Sequence, residues 1–248
     1  MLDRCGPAGN PAAGPPRVAR SGAAMSLLAL IPARGGSKGI PRKNVRPFYG
    51  KPLLQWSIDV ALAAPSVHRV VVSTDDPEIA AVALASGAEV PFIRPAELAS
   101  DTAPGIAPVL HALEQLPEVS DVLLLQPTSP LRLVEDVEAI VALRRQAGRE
   151  AAVSVTPSSK HPAWIFGLSP QQLLEPLLPA TEAACRQQLS PAYALNGALY
   201  LASREFLERE RSFLTADALG YVMPPERSVD IDSPLDWQWG EFLMQQQG

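Results

Sequence analysis

The stretch LLALIPARGGSKGIPRKN, residues 27–44, decides the fold. Its first seven residues, 27–33, form a continuous apolar run, which predicts a strand that is covered on both faces. A turn with three glycines and four cations follows, and the cations are Arg34, Lys38, Arg42 and Lys43. Glycines let backbone N–H groups converge on an anion, and the cations neutralise its charge. We therefore predict a triphosphate site directly after the first strand. The alternative is a solvated basic loop.

Two familiar phosphate-binding spacings do not occur in this turn. The segment GGSKG (35–39) matches neither GxxxxGK[ST] nor GxGxxG. ATP hydrolysis by a P-loop and dinucleotide binding are therefore not supported.

Outward from this stretch, short apolar runs alternate with segments of helical period, which is typical of an α/β sheet with crossover helices. The predicted strands cover residues 27–33, 69–74, 90–93, 121–126, 151–156 and 197–202. The predicted helices cover residues 52–64, 77–85, 106–116 and 134–146. Either Asp75 or Asp76 is expected to be the N-cap of the second helix.

Two regions do not follow this alternation. Residues 157–191 contain six prolines, no clear strand and several large apolar side chains, so we predict an inserted dimerisation element there. Residues 1–24 are dominated by Gly, Pro and Ala and lack the apolar core of a signal peptide. We predict a disordered N-terminal extension over 1–24 and one domain over 25–248. Alternatively, Met25 is the natural start.

Composition limits the classes of function. The 248 residues are 47% hydrophobic, which suffices for a full core, and the net charge of −5 gives no general attraction to nucleic acid or to a membrane surface. No run reaches the roughly 18 apolar residues that a membrane span needs. Cys5 and Cys185 have no metal-ligand spacing, which indicates a reducing compartment. We therefore predict a cytoplasmic protein.

Two polar clusters accompany the basic turn. Gln126 opens the segment QPTSPLR (126–132) at a strand end, where open α/β sheets place their ligands; an incidental Pro-rich turn is the alternative. Asp230 and Asp232 stand at positions i and i+2 of an extended segment, so their side chains project from one face. Mg²⁺ prefers one or two carboxylates plus phosphate oxygens, so we predict a magnesium site there. Alternatively, one aspartate caps a helix that starts near Pro234.

The sequence resembles the CMP-sialic acid synthetases and their relatives among the sugar-acid cytidylyltransferases, because several of its segments match segments of that family in the same order. The matching segments run from Leu28 to about Phe242 and comprise IPARGGSKGIPRKN (31–44), GKPLL (50–54), VVSTDDPEIA (71–80), RPAELASD (94–101), HALEQL (111–116), LLLQPTSPLR (123–132), RQQLSPAYALNGALY (186–200) and SVDIDSPLD (228–236). The resemblance implies a three-layer, nucleotide-diphospho-sugar transferase-like α/β domain, Rossmann-like and with a mainly parallel sheet. It also implies a dimerisation element within about 157–191 that reaches toward the partner's active site.

The resemblance also implies roles for individual residues. Those implied to bind CTP are Arg34, Gly35, Ser37, Lys38, Lys43, Asn44, Arg94 and Ala103. Those implied to line the sugar-acid pocket are Gln126, Arg186, Gln187, Asn196 and Tyr200, with Arg186 as the partner of the sugar carboxylate. Asp230 and Asp232 are implied to hold Mg²⁺, and together with Arg34 and Lys38 they are the implied catalytic residues.

Three positions depart from the family pattern. Trp164 stands where the family carries a Lys shortly after an HP pair, Ala194 where an Arg commonly precedes the Asn-Gly pair, and Gly105 where a Ser belongs to the base-binding loop. The first two bear on the sugar more than on the reaction. A pocket with an indole in place of a cation fits a less hydroxylated sugar, as legionaminic-type enzymes need.

The function implied by the resemblance is transfer of CMP from CTP to the anomeric hydroxyl of a nonulosonic acid, with release of pyrophosphate and N-acetylneuraminate as the favoured acceptor. Asp232 either orients or deprotonates that hydroxyl, or serves as a metal ligand alone. Two alternatives stay open. One is the same reaction on a legionaminic, pseudaminic or Kdo-type sugar acid, and the other is a catalytically silent nucleotide-binding protein.

Overall fold

The computed structural model describes residues 26–37, 39–100, 102–178 and 189–247. The predictions made for residues 1–24, Lys38, Arg186 and Gln187 lie outside the described residues. The strands are β1 (Leu27–Pro32), β2 (Pro47–Phe48), β3 (Lys51–Pro52), β4 (Arg69–Ser73), β5 (Asp121–Leu125), β6 (Ala151–Pro157), β7 (Phe166–Leu168), β8 (Leu174–Pro176), β9 (Tyr193–Ser203) and β10 (Leu219–Val222). The α-helices are α1 (Leu53–Ala63), α2 (Pro77–Ala85), α3 (Ala107–Gln115), α4 (Val134–Ala147), α5 (Arg204–Glu210) and α6 (Pro234–Gln247).

Six strands form the central sheet in the order β10–β6–β9–β5–β1–β4. β9 runs antiparallel to β5 and β6, and the other pairings are parallel, so the prediction of a mainly parallel sheet is confirmed. The predicted strand at 90–93 is wrong. Beyond β4 there is one isolated bridge, between Val71 and Glu89, because Pro91 has no N–H to donate and the Ile93 side chain is 60% exposed.

Helices cover both faces of the sheet and complete the predicted three layers. Leu54 of α1, Ile79 of α2 and Val137 of α4 pack on one face, and Val109 of α3 and Phe206 of α5 pack on the other. All four predicted helices are present within a residue or two of their expected ends. No helix in the described part of the chain is long and apolar enough to cross a membrane.

The segment between β6 and β9 contains a hairpin that the sequence did not reveal. β7 and β8 pair antiparallel, so the expectation of no strand within 157–191 is wrong. Each strand has three residues, and most of their side chains are exposed, so no alternation of buried and exposed residues marks them. The hairpin carries an exposed apolar surface that includes Trp164, Phe166 and Leu174.

A third apolar cluster joins segments that are distant in sequence. It consists of Ile40, Phe48, Leu53, Leu131, Ile231, Trp237 and Met244. Ile40 belongs to the basic turn, Leu131 follows β5, and Ile231 separates the two aspartates. Burial of these side chains therefore brings the three polar segments of the sequence to one place.

Candidate active site

A cavity of about 510 Å³ opens at the carboxyl ends of the parallel strands. Residues after β1 and β5 line it, together with residues between Arg94 and Pro108 and with residues 230 and 232. Nine of the predicted site residues line it, namely Arg34, Ser37, Lys43, Asn44, Arg94, Ala103, Gln126, Asp230 and Asp232. This is the edge at which open α/β sheets bind their ligands.

The turn after β1 is fixed from below by its own residues and by the aspartate segment. Buried Asn44 donates from its side-chain amide to the carbonyl of Arg34 at 3.0 Å. Lys43 Nζ donates to the carbonyl of Ile231 at 2.6 Å and to Asp232 Oδ1 at 2.9 Å. A Cβ on Gly39 would lie 2.2 Å from the main-chain oxygen of Asp232, so this position requires glycine. The phosphate-type turn and the aspartate segment are therefore in direct contact.

Acidic residues after β4 hold the outer side of the same turn. Arg42 donates to the carboxylates of Asp76 and Glu78 and does not line the cavity. The Asp76 carboxylate also accepts from the backbone N–H of Glu78 and Ile79, which makes Asp76 the N-cap of α2. Of the four cations in the turn, Arg42 thus pairs with protein carboxylates outside the cavity and is not positioned to bind a ligand.

Asp75 joins the turn to Arg94. From the sequence this residue was predicted only as a possible helix cap. Its Oδ1 accepts from the N–H of Gly35 at 3.2 Å and lies 3.5 Å from Arg94 Nη2. Burial lowers the pKa of the Arg94 guanidinium, and the Asp75 charge opposes this effect. Arg94 Nε is buried without a hydrogen-bond partner. The sequence contained one signal for this role of Asp75. Thr-Asp-Asp has two aspartates, and a helix cap needs only one of them.

Gln126 faces the cavity beside a bulge in β9. The pairing of β6 with β9 changes register between Val153 and Val155, and Gly197 has φ +74°. A Cβ on Gly197 would lie 2.8 Å from Gln126 Oε1 and 3.2 Å from Asp230 Oδ2. Glycine therefore permits both the backbone conformation and the close approach of β9 to these two side chains.

Asp230 and Asp232 differ in their electrostatic surroundings. The cavity wall removes part of the hydration of Asp230, which raises its pKa, and the Asp232 charge raises it further. A hydrogen bond from Thr128 and the Lys43 ammonium lower that pKa. Asp232 has Lys43 as a direct ion-pair partner. Two carboxylates that repel each other in one cavity are a natural site for a cation.

These two carboxylates suit a Mg²⁺ ion that a ligand also coordinates better than they suit a metal site built from protein side chains alone. Among the described residues, no group of three or more His, Cys, Asp or Glu side chains could hold a metal ion. Two carboxylates leave most of an octahedral shell for water and phosphate oxygens, which is how Mg²⁺ is commonly bound at nucleotide sites. The donor set therefore suits a cation that is shared with a phosphate-bearing ligand.

The helix after Asp232 does not use either aspartate as its cap. Ser233 Oγ accepts from the N–H of Asp236 at 3.3 Å, and the Asp236 carboxylate accepts from the N–H of Ser233 at 2.8 Å. This reciprocal pair caps α6. The expected helix near Pro234 is confirmed, and both Asp230 and Asp232 are left to face the cavity.

Asn196 and Tyr200 lie behind the cavity rather than in its lining. The side chain of Asn196 is buried and contacts Ser154 Oγ at 2.6 Å and Ser228 Oγ at 2.9 Å. Tyr200 packs its ring against Phe213, and burial followed by the charge of Asp230 raises the pKa of its hydroxyl. Gly35 lies in the turn, and its side-chain position faces Asp76. These three residues shape the site from outside it.

Comparison with known proteins gives one family and similar proteins of known name. A family model described as "Cytidylyltransferase" matches residues 28–159, more than half of the chain. The CMP-N,N'-diacetyllegionaminic acid synthase of Legionella pneumophila is 38% identical over 228 residues, which are 89% of this chain and 97% of that protein. The N-acylneuraminate cytidylyltransferase of Escherichia coli is 32% identical over 228 residues, which are 88% of this chain and 52% of that protein. The chain thus spans about half of the E. coli relative.

A solved structure has the same fold. The structure of a CMP:2-keto-3-deoxy-manno-octonic acid synthetase complexed with CTP superposes with a TM-score of 0.70 and 19% identity, covering 90% of this chain and 100% of that chain. At that identity the likeness concerns the fold alone. It confirms the fold class expected from the sequence.

Proposed function

The chain belongs to the cytidylyltransferase family, and from this premise we propose that it transfers CMP from CTP to the anomeric hydroxyl of a sialic-acid-type nonulosonic acid, with release of pyrophosphate. One observation carries the proposal. The basic turn, Gln126 and two acidic residues line a single cavity, so groups suited to a triphosphate, a metal and an acceptor lie together.

Positioning and charge neutralisation account for the catalysis in this proposal. Arg34, Ser37 and the described backbone of the turn bind phosphate oxygens, with Lys38 as a further cation, while Arg94 and the backbone near Ala103 meet the cytosine. The acceptor hydroxyl attacks the α-phosphorus in line and loses its proton to solvent, the bond from that phosphorus to the bridging oxygen breaks, and pyrophosphate leaves. Lys43 donates to Asp232 Oδ1 and so fixes this carboxylate beside the basic turn.

Asp230 and Asp232 are proposed to hold Mg²⁺ together with the phosphates. The bound ion supplies neutralisation of the charge that develops on the leaving pyrophosphate. Gln126, Arg186 and Gln187 are proposed to bind the sugar acid. Asn196 and Tyr200, which lie behind the cavity, are proposed to support that pocket by fixing β9 and the segment that carries Asp230.

Two acceptors follow from specific observations. N-acetylneuraminate is the acceptor suggested by the ordered motifs and by the E. coli relative. N,N'-diacetyllegionaminic acid is supported by the L. pneumophila relative, which is matched over nearly its whole length, and by Trp164 and Ala194. Legionaminic acids carry fewer hydroxyls on the side chain, which suits an indole in place of a cation.

We also propose that the protein is a cytoplasmic homodimer joined through the β7–β8 hairpin. Exposed apolar residues cluster there and along the start of β9, namely Trp164, Ile165, Phe166, Leu168, Leu173, Leu174, Leu177, Leu178, Tyr193 and Leu195. A cluster of this size is typical of a surface covered by another protein. A second copy would cover it symmetrically.

A pyrophosphate-release assay tests the reaction and the acceptor together. CTP and Mg²⁺ are supplied with N-acetylneuraminate, N,N'-diacetyllegionaminate, a pseudaminate or Kdo, and ATP or UTP replaces CTP as a control. We expect CTP-dependent release with one of the nine-carbon acids and formation of the matching CMP-sugar. Tight CTP binding without release for every acid would refute the proposal and favour a silent nucleotide-binding protein.

A further inference from the structure

Behind the cavity, three charged side chains that the proposed reaction does not use lie close together. Arg132 is 1% exposed, Asp136 is 0% exposed, and the side chain of Arg227 is 26% exposed. Charged groups lose hydration when they are buried, which costs free energy unless they are paired. A buried charge cluster at the back of a site is therefore informative about which parts of that site it holds in place.

Asp136 is the centre of this cluster. It stands in the first turn of α4, and its carboxylate accepts a two-pronged contact from Arg227, at 3.0 Å from Nε and 2.8 Å from Nη2. It also accepts from the hydroxyl of Tyr221 at 3.0 Å and from the N–H of Leu133 at 3.0 Å. Every lone-pair direction of this carboxylate is thus engaged, and half of these contacts come from Arg227.

Arg227 stands three residues before Asp230, at the end of the short 3₁₀ helix Pro225–Arg227. After Arg227 the chain is held by Lys43, which donates to the carbonyl of Ile231 and to Asp232 Oδ1, and by two contacts that do not involve the basic turn. Asn196 donates to Ser228 Oγ at 2.9 Å, and the N–H of Ile231 donates to the carbonyl of Thr128 at 2.8 Å. The contact with Asp136 is ionic, whereas those of Ser228 and Ile231 are neutral hydrogen bonds.

Arg132 connects the same cluster to Gln126. Its Nη1 donates to Ser57 Oγ at 2.7 Å, and its Nη2 donates to the carbonyl of Gln126. Burial lowers the pKa of Arg132 to about 9, against the charges of Asp136 and Asp230, so it is a cation at pH 7. The cluster therefore lies directly behind two of the residues that face the cavity.

We propose that Asp136 and Arg227 are positioning residues whose ion pair fixes residues 228–232 and thereby sets where the Asp230 and Asp232 carboxylates stand relative to the basic turn. The inference rests on the proposed function in one respect, because it assigns to these aspartates the task of holding a divalent cation with CTP. Loss of the pair removes one of the anchors of this segment, so the segment moves more and holds the cation less tightly. The basic turn keeps the contacts of Asn44 with Arg34 and of Gly35 with Asp75, so CTP binding without metal is weakened less than Mn²⁺ binding.

Three variants test the pair, and a fourth is a matched control. Asp136→Asn and Arg227→Gln each remove one charge, while Arg227→Lys keeps the charge and loses the two-pronged contact. Arg144→Gln breaks the buried pair of Arg144 with Asp121 at the opposite end of α4, with side chains 10% and 6% exposed. It costs stability of a similar kind but lies away from the cavity.

Two measurements separate positioning from a merely structural role. Hydrogen exchange followed by mass spectrometry reports the mobility of peptides that cover 228–232. A Mn²⁺ titration followed by electron paramagnetic resonance, with CTP bound, reports cation affinity, and CTP affinity is measured separately in EDTA. We expect Asp136→Asn and Arg227→Gln to speed exchange in 228–232 and to weaken Mn²⁺ binding by about 10- to 100-fold, as loss of partners to metal ligands commonly does. For Arg227→Lys we expect an exchange rate and a Mn²⁺ affinity between those of these two variants and those of the wild type.

The outcomes are distinguishable. Unchanged exchange, or unchanged Mn²⁺ affinity despite faster exchange, overturns the inference, and so does an equal loss of Mn²⁺ affinity in Arg144→Gln. Since Arg227 is partly exposed, its variants decide the question if Asp136→Asn does not fold. A wild-type protein that binds no Mn²⁺ in the presence of CTP refutes the proposed function instead, and the exchange data still decide whether the pair fixes the segment.

Discussion

Replacement of Gly39 by Ala gives a sharp test of the contact between the basic turn and the aspartate segment. The added Cβ would lie 2.2 Å from the main-chain oxygen of Asp232, whereas carbon and oxygen in close contact are about 3.3 Å apart. The turn and the segment must therefore separate by about 1 Å. A displacement of about 1 Å in groups that position a substrate can cost about 100-fold in rate, equivalent to about 2.7 kcal/mol of transition-state stabilisation.

The assay is kcat/KM for pyrophosphate release, with the melting temperature measured in parallel. Gly36→Ala is the matched control, because a Cβ on Gly36 meets nothing within 4 Å and this residue does not line the cavity. We expect Gly39→Ala to lose about 100-fold and Gly36→Ala to stay near wild type. Equal kinetics in the two variants would show that the contact does not position the reacting groups.

Three further predictions concern neighbouring features. Lys43→Ala should lower kcat/KM at least about tenfold, because charge-assisted hydrogen bonds contribute about 1.5–3 kcal/mol, whereas Arg42→Ala, whose partners lie outside the cavity, should change it little; the reverse ranking would contradict the site. The pKa of Asp230 is raised in the folded protein. Ionisation of this carboxyl therefore destabilises the fold as the pH rises above about 3.9, the pKa of an aspartate in the unfolded chain. In metal-free buffer, Asp230→Asn should therefore raise the melting temperature at pH 7 and lose that advantage near pH 4, and an equal shift at both pH values would argue against this cause. Leu174→Glu on the hairpin should give a monomer by light scattering, whereas Leu62→Glu on α1 should not; a dimer in both would move the interface elsewhere.

Secondary structure was predictable wherever a local pattern reflects burial. The run at 27–33 became β1 because its side chains are covered on both faces, and Asp76 before Pro77 gave a capped helix. The run at 90–93 has a similar apolar character but is not a strand. A strand needs a partner for its backbone groups, and Pro91 lacks a donor two residues after Glu89, the residue that bridges to Val71 of β4.

Residue types in the site were also predictable, but their tasks were not. Arg42 and Lys43 are adjacent cations in the same turn, and the fold directs Arg42 to Asp76 and Lys43 to Asp232. Asn196 belongs to a recognisable segment, yet its side chain is used to hold Ser154 and Ser228. Hydrogen bonds and ion pairs depend on distances of a few ångströms, which sequence order does not specify.

The sequence by itself determined the chemistry available to this protein. Three glycines and several cations after a buried strand predict a phosphate site, and paired aspartates predict a cation site, because each prediction depends on neighbouring residues alone. The tertiary structure brings the residues of the two predicted sites into one cavity. Lys43 contacts Asp232 across 189 residues of sequence, and Asp136 holds Arg227 across 91. Such contacts form because the apolar cluster around Ile40, Leu131 and Ile231 is buried, and burial of apolar surface is what selects which distant segments meet.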